Sequence, residues 1–290
     1  MFPDSFDYHA PTTVEDARAA MADADGEVEL LAGGHSLIPA MKSGLSSPDV
    51  LVDLGDVTAL DGVEETDDGL AIGATTTYAD VLADGRLGTV APAFAAAIAA
   101  VGDRQVRNRG TVGGNLAHAD PASDLPGAAL AADATVTVQG PDGSREVGAD
   151  EFFLGMYMTD VGPEELVTTV SVPDRDGEVA GAYRKKPSPS SGYAMVGVAV
   201  SLTVDAGTVV DAGVGANGVM DHGIRLAAVE AALTDTAAEA VDPAAVGELA
   251  TEDLDTDLVM DDLQASAEFR AALLETYTER AVADAVDAVA

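Results

Sequence analysis

The 290-residue chain has no cysteine, and it sets only 14 Lys and Arg against 51 Asp and Glu, a formal net charge of −37. Without cysteine there are no disulfides, no thiolate zinc sites, no cysteine nucleophile and no cysteine-held iron–sulfur cluster on this chain. Its four histidines, His9, His35, His118 and His222, are scattered and lack HExxH spacing, which argues against a metal site. A surface so poor in cations repels nucleic acid and anionic membranes. A charge of this size fits adaptation to high cytosolic salt, where counterions screen self-repulsion. No apolar run reaches the roughly 18 residues needed to span a bilayer. The N-terminal MFPDSFDYHAPTT has neither the basic nor the apolar region of a secretory signal, so the expected compartment is the cytoplasm.

What is present points to mixed structure with a sizeable core, since 47% of the residues are hydrophobic. Thr12 and Glu15 form a capping box that opens a helix running to about Ala24. VELLA (28–32), VLVDL (50–54) and GLAIGATT (69–76) read as strands, and TYADVLADG and the Ala-rich 91–101 stretch as helices. LPGAALAADA is a short helix, TVTVQGPDGSREV a hairpin about Pro-Asp-Gly, and ELVTTVSVP (165–173) a strand closing the first region. After about residue 178 two long strands joined at Asp205–Gly207 are followed by helices in IRLAAVEAAL and in the tail from Phe269. Strands and helices without steady βαβ alternation predict an α+β fold, with domains over 1–177 and 178–290.

Two glycine-rich turns stand out. In LAGGHSLIPAMKSG (31–44) a strand ends on Gly33-Gly34, and Ser36 adds a hydroxyl. RGTVGGN (109–115) repeats the ingredients with Gly113-Gly114, Thr111 and Asn115. Neither fits GxGxxG or GxxxxGK[ST], which disfavours the Rossmann and P-loop phosphate sites. Successive N–H groups in such turns make a concavity that takes anions. Arg104, Arg107 and Arg109 precede the second Gly pair, and Arg184-Lys185-Lys186 form another cluster, so six of 14 cations occupy two short stretches. Taken together the turns predict a shared diphosphate, with the clustered cations serving either an anionic cofactor or a partner chain. Ordinary tight turns and surface salt bridges are the competing readings.

The blocks AGGHSLIPAMKSG, LAIGATTTYADV, RNRGTVGGNLAHADPASDLPGAALAADA, ELVTTVSVP and AYRKK…GYAMVGVAVSL occur in that order over nearly the whole chain. In this it resembles the FAD-binding medium subunits of molybdenum hydroxylases, the carbon monoxide dehydrogenase and xanthine dehydrogenase group. The resemblance implies a PCMH-type FAD-binding domain of two subdomains, about 1–56 and 57–177. A smaller α+β C-terminal domain of antiparallel strands packed with helices would follow. It implies that Ala32, Gly33, Gly34, His35, Ser36 and Leu37, with Thr111, Val112, Gly113, Gly114 and Asn115, wrap the diphosphate through backbone N–H groups. Ser123 and Asp124 would meet the adenosine half, Ala117 and Leu166 would line the ring pocket, Lys185 would stand near the flavin, and Tyr193 would stack on it. Asp124 also suits an N-cap for a helix over 125–132, and Tyr193 suits core packing at a strand start. Many relatives carry an Arg and an acidic residue where Ser188 and Gly192 stand, a departure that touches the segment before Tyr193.

The same resemblance implies non-covalent FAD, with His35 only a loop residue, and a chain that carries no metal of its own. The molybdenum cofactor would sit on a large partner subunit and two [2Fe–2S] clusters on a small one, in a dimer of heterotrimers. The flavin subunit would pass electrons from those clusters to an external acceptor. No nucleophile or general-base constellation stands out in the sequence. The alternatives are a stand-alone flavin-dependent oxidase and a non-catalytic assembly subunit that has lost FAD.

Overall fold

The structure is a computed structural model that describes residues 2–252 and 254–289. Its first helix, Val14–Ala22, starts one residue later than the capping box predicts. Thr13, not Thr12, is the cap, its hydroxyl accepting the Asp16 N–H at 3.0 Å. Glu15 and Asp16 lie in the first turn, where the helix N-terminus favours carboxylates. The helix accompanies a three-stranded sheet in the order Asp7–His9, Val50–Asp53, Val28–Leu31, with both pairings parallel. Val14, Ala17, Val50, Val52, Leu54, Val57, Leu60 and Leu166 form its core.

A second sheet is antiparallel, in the order Val63–Thr66, Gly69–Gly73, Leu166–Pro173, Thr135–Gly140, Gly143–Gly148. Thr135–Gly140 alternates half-buried and buried residues, as expected of a strand whose two faces meet different surroundings. The helices Pro92–Ala100 and Leu125–Ala131 bring Phe94, Ile98, Leu125 and Leu130 into one core with Ile72, Val136, Val138 and Val170 of this sheet.

From Glu178 the chain forms a four-stranded antiparallel sheet, Glu178–Pro187, Ala194–Asp205, Thr208–Asn217 and Ile224–Arg225. Ile224 and Arg225 are therefore strand, and the helix predicted from Ile224 begins at Ala227. All of Ala194–Asp205 except Asp205 is buried, because helices cover both faces. Pro92–Ala100 and Leu125–Ala131 lie on one side, and the 21-residue Ala267–Asp287 helix lies on the other. Contact with Leu125–Ala131 is backbone to backbone: a side-chain carbon on Gly215 would fall 2.0 Å from the Gly127 carbonyl oxygen. Only glycine permits that approach. The fold is α+β, and among the described residues no helix is long and apolar enough to cross a membrane.

Candidate cofactor-binding site

The strand Val28–Leu31 runs out into Gly33-Gly34 before the helix Leu37–Ser43 begins. None of the backbone N–H groups of Gly33, Gly34, His35, Ser36 and Leu37 has an acceptor among the described residues. Five consecutive free donors on one turn form a cradle for an anion. His35 turns its Nδ1 back to the Gly33 carbonyl at 3.1 Å and is exposed, as expected of a loop residue.

The second turn is not an open loop. Val112–His118 is helical, capped by Thr111, whose hydroxyl accepts the Gly114 N–H at 3.2 Å. Its backbone donors are spent within the protein: Val112 N–H on the Thr76 carbonyl, Gly113 N–H on the Ala74 carbonyl, and Asn115 N–H on the Thr111 carbonyl. Of the second turn's amides only that of Thr111 has no acceptor among the described residues, so the free donors lie mainly on the first turn. The physical reason is that residues 74–78 zip along 110–113 and take up the amides of Val112 and Gly113. Glycine is still required there, because a side-chain carbon on Gly113 would lie 2.5 Å from the Ala74 Cβ.

The two turns touch. A side-chain carbon on Gly33 would lie 2.4 Å from the Arg109 carbonyl oxygen and 2.7 Å from the Gly110 Cα. Along this contact runs a cavity of about 580 Å³, within the ~300–1,000 Å³ usual for cofactor sites. It is lined by Ala32, Gly33, Gly34, His35, Ser36, Leu37, Thr111, Gly113, Gly114, Asn115, Ala117, Ser123 and Tyr193, thirteen of the seventeen residues the sequence nominates.

The other four do not line it. Val112 and Leu166 are buried in hydrophobic cores, and Val167, next to Leu166, reaches the cavity instead. Asp124 and Lys185 face each other: Lys185 Nζ donates to Asp124 Oδ2 at 2.9 Å, and Tyr183 Oη donates to Asp124 Oδ1 at 2.6 Å. Burial pushes the Asp124 carboxyl up, against the opposing pull of Lys185 and Tyr183. Asp124 does stand at the N-cap position of Leu125–Ala131, but its side chain makes no cap bond there. Lys185 Nζ also donates to the Ala100 carbonyl at 2.9 Å and the Gly192 carbonyl at 3.1 Å. These two residues therefore tie the segments behind the cavity together.

Arg104, Arg107 and Arg109 do not line the cavity either. Arg107 donates to the carbonyls of Val101 and Gly102, and the exposed Arg104 and Arg109 have no carboxylate partner among the described residues.

At the mouth stands Tyr193, 43% exposed. The departing residues Ser188 and Gly192 build the turn that carries it: Ser188 N–H donates to the Tyr193 carbonyl at 2.7 Å, and Gly192 N–H to the Ser188 carbonyl at 2.9 Å. Gly192 has φ +77°, a conformation that suits glycine. Burial and then the Asp120 charge push the Tyr193 phenol up, while a hydrogen bond with Ser36 works the other way.

Sequence reasoning misses Tyr78, His118, Asp120, Tyr157, Glu165 and Val167, all on the cavity wall. The His118 and Tyr157 rings meet at a tilt of 40° with centroids 5.1 Å apart, and burial lowers the His118 pKa, which favours its neutral form. Arg145 donates to both Glu165 oxygens, at 2.8 and 2.7 Å, and lowers that carboxyl to about 2. These residues are brought in by pairings that the local pattern does not encode. Among the described residues no cluster of three or more His, Asp or Glu could hold a metal ion.

The donor set fits a dinucleotide. Five orphan amides suit a pyrophosphate, the side-chain-free contact at Gly33 sets the second turn directly beside them, and Tyr193 offers an aromatic face.

Comparison with known proteins gives the same direction. Residues 4–175 match the family model described as FAD binding domain in molybdopterin dehydrogenase, and residues 181–285 match the CO dehydrogenase flavoprotein C-terminal domain. The chain is 37% identical over 209 residues to the carbon monoxide dehydrogenase medium chain of Hydrogenophaga pseudoflava, covering 72% of this chain and 73% of that one. It is 33% identical over 287 residues to the 6-hydroxypseudooxynicotine dehydrogenase complex subunit alpha of Paenarthrobacter nicotinovorans, covering 99% and 96%. Among solved structures, the carbon monoxide dehydrogenase of Hydrogenophaga pseudoflava lacking the Mo-pyranopterin moiety superposes with a TM-score of 0.91. It has 33% identity, and 98% of each chain is covered.

Proposed function

The chain belongs to the FAD-binding medium subunits of the molybdenum hydroxylases, and from that premise we propose that it is the electron-transfer flavoprotein subunit of such a complex. The observation that carries this reading is the run of five unpartnered N–H groups at 33–37, pressed against the second glycine turn along one cavity. On this reading the amides of the first turn hold the pyrophosphate of a non-covalently bound FAD, and Thr111, Gly113, Gly114 and Asn115 wall it in. Bound there, FAD supplies the chemistry of accepting single electrons and releasing pairs. The protein's part is to fix the cofactor, and Tyr193 limits access to one face of it.

Electrons would arrive from the [2Fe–2S] clusters of a small partner subunit, while a large partner subunit holds the molybdenum cofactor, in a dimer of heterotrimers. An external acceptor would then be reduced. The absence of cysteine on this chain agrees with clusters held elsewhere. Domains over 1–177 and 178–290, and a cytoplasmic site of action at high salt, complete the proposal. The last rests on the charge of −37.

The test is purification of the chain with its neighbouring subunits at high salt. Flavin absorbance should travel with this chain and bleach on adding the complex's substrate only when both partners are present. If the chain alone oxidises an alcohol with oxygen, it is a stand-alone oxidase. If it is colourless and takes up no added FAD, it is an assembly subunit. Either result would end the proposal.

A further inference from the structure

Three polar side chains on the cavity wall form a directed chain. Ser123 Oγ donates to Asn115 Oδ1 at 2.7 Å, and Asn115 Nδ2 donates to Tyr78 Oη at 2.8 Å. Both ends of the Asn115 amide are thereby engaged with protein, so this residue acts as a connector. The Tyr78 hydroxyl accepts one hydrogen bond, and its own proton has no acceptor among the described residues. Tyr78 is only 4% exposed, yet it lines the cavity. A buried hydroxyl proton without a partner costs free energy unless a ligand supplies the acceptor.

The position of that hydroxyl is fixed from several sides. Tyr78 N–H donates to the Gly110 carbonyl at 3.0 Å, and its ring lies so close to Gly110 that a side-chain carbon there would fall 2.5 Å from Tyr78 Cε2. The phenol is thus aimed by the same turn that meets Gly33. Burial pushes its pKa up, so it remains a donor at every working pH. The bond received from Asn115 polarises the phenol O–H and strengthens it as a donor.

We propose that Tyr78 is a cofactor-contacting residue whose hydroxyl donates to a phosphoryl or sugar oxygen of the bound dinucleotide, with Ser123 and Asn115 as the relay that orients it. This deepens the FAD reading above and rests on it. Turning the Asn115 amide over would reverse both hydrogen bonds and leave the spare hydroxyl proton on Ser123 instead. The two arrangements therefore predict different sensitive residues.

The full chain, stripped of flavin, is titrated with FAD and followed by flavin fluorescence, and the melting temperature of the flavin-free protein is recorded. Tyr78→Phe keeps the ring against Gly110 and removes only the hydroxyl. It should raise the FAD dissociation constant about tenfold, the scale of one hydrogen bond to a charged or strongly polar acceptor. Ser123→Ala should raise it less than threefold. Melting of both flavin-free variants should stay within about 2 °C of the parent, on the scale of a sub-kcal change in a chain this size. A Tyr78→Phe dissociation constant within twofold of the parent overturns the proposal, as does a greater loss from Ser123→Ala. An equal fall in flavin-free stability and affinity would mark Tyr78 as structural and overturn it too. If the unsubstituted chain binds no FAD, the parent reading fails with it. That result is distinct from all the others.

Discussion

Gly33 rests on the backbone of Gly110: a side-chain carbon on Gly33 would lie 2.7 Å from the Gly110 Cα and 2.4 Å from the neighbouring Arg109 carbonyl oxygen. Residues 77 positions apart in sequence thus share a contact that no other amino acid can make. Every amide from Gly33 to Leu37 owes its place beside the second turn to that closeness.

Gly33→Ala must push the two turns apart, because the obstructing atoms are backbone and cannot rotate away. Overpacking of this kind costs about 1–3 kcal/mol. The loss should fall on cofactor retention more than on global stability, since the turn at 33–36 packs outside the main cores. Flavin content per chain after gel filtration checks it: at least a tenfold rise in FAD dissociation constant is expected, with the far-ultraviolet spectrum unchanged.

Lys185 and Asp124 form a buried pair, with side chains 13% and 6% exposed. Lys185→Met leaves the Asp124 carboxylate buried opposite Tyr183 alone and frees the Gly192 carbonyl. Breaking such a pair costs about 3–5 kcal/mol. Lys185→Met with Asp124→Asn removes both charges, and that double variant should be more stable to urea than Lys185→Met alone. Additive losses would show that the two groups do not act as a pair. Hydrogen exchange at 188–193 should quicken in Lys185→Met, because the turn bearing Tyr193 loses one of its anchors.

Much of this site can be read from the sequence, and the unreadable part has a common cause. Thirteen of the seventeen nominated residues line the cavity; short-range rules mark the two turns, a strand ending on Gly-Gly and a hydroxyl ahead of a second Gly pair, while Ala117, Ser123 and Tyr193 are nominated only by the family resemblance. What escapes is pairing at a distance. Nothing near Val112 announces that its N–H goes to Thr76, or that Gly113 is tied to Ala74. Lys185 and Asp124 are 61 residues apart, and nothing local to either announces that the fold sets them against each other. The arginine cluster shows the converse: it is close in sequence to the second turn, yet its side chains lie off the cavity wall. The same limit hid Tyr78, whose place at the head of the Tyr78–Asp84 helix says nothing of Asn115.

Glu165 gives the chain a pH signature. The hydrogen bonds from Arg145, helped by the Gly162 N–H, lower its carboxyl from the ordinary 4.5 to about 2. A depressed carboxyl contributes stability that is complete above the unfolded value and is lost as pH falls toward the folded one. The window for this group is therefore about pH 4.5 down to about 2. Glu165→Gln should lower stability near neutrality by about 1 kcal/mol, given that Arg145 is itself partly exposed. It should also flatten the acid limb of the urea-midpoint curve within that window. A limb as steep as that of the parent would show that the ion pair contributes nothing there.

The charge of −37 makes salt a structural variable. Its carboxylates outnumber the cations by 37, so most of them have no opposite charge to face and the folded surface repels itself. Screening shortens from about 10 Å at 0.1 M salt to about 3 Å at 1 M, which removes repulsion between all but adjacent charges. The unfolded chain spreads the same charges farther apart, so salt should favour the folded state. The melting temperature should climb steadily from 0.1 to 2 M potassium chloride; sulfate would be a poor choice, because it stabilises by exclusion whatever the charge. Repeating the titration near the isoelectric pH of about 4.1 supplies the control. There the carboxylates are partly protonated, and the salt dependence should shrink. A slope equal at both pH values would mean that the salt acts on something other than this excess of negative charge.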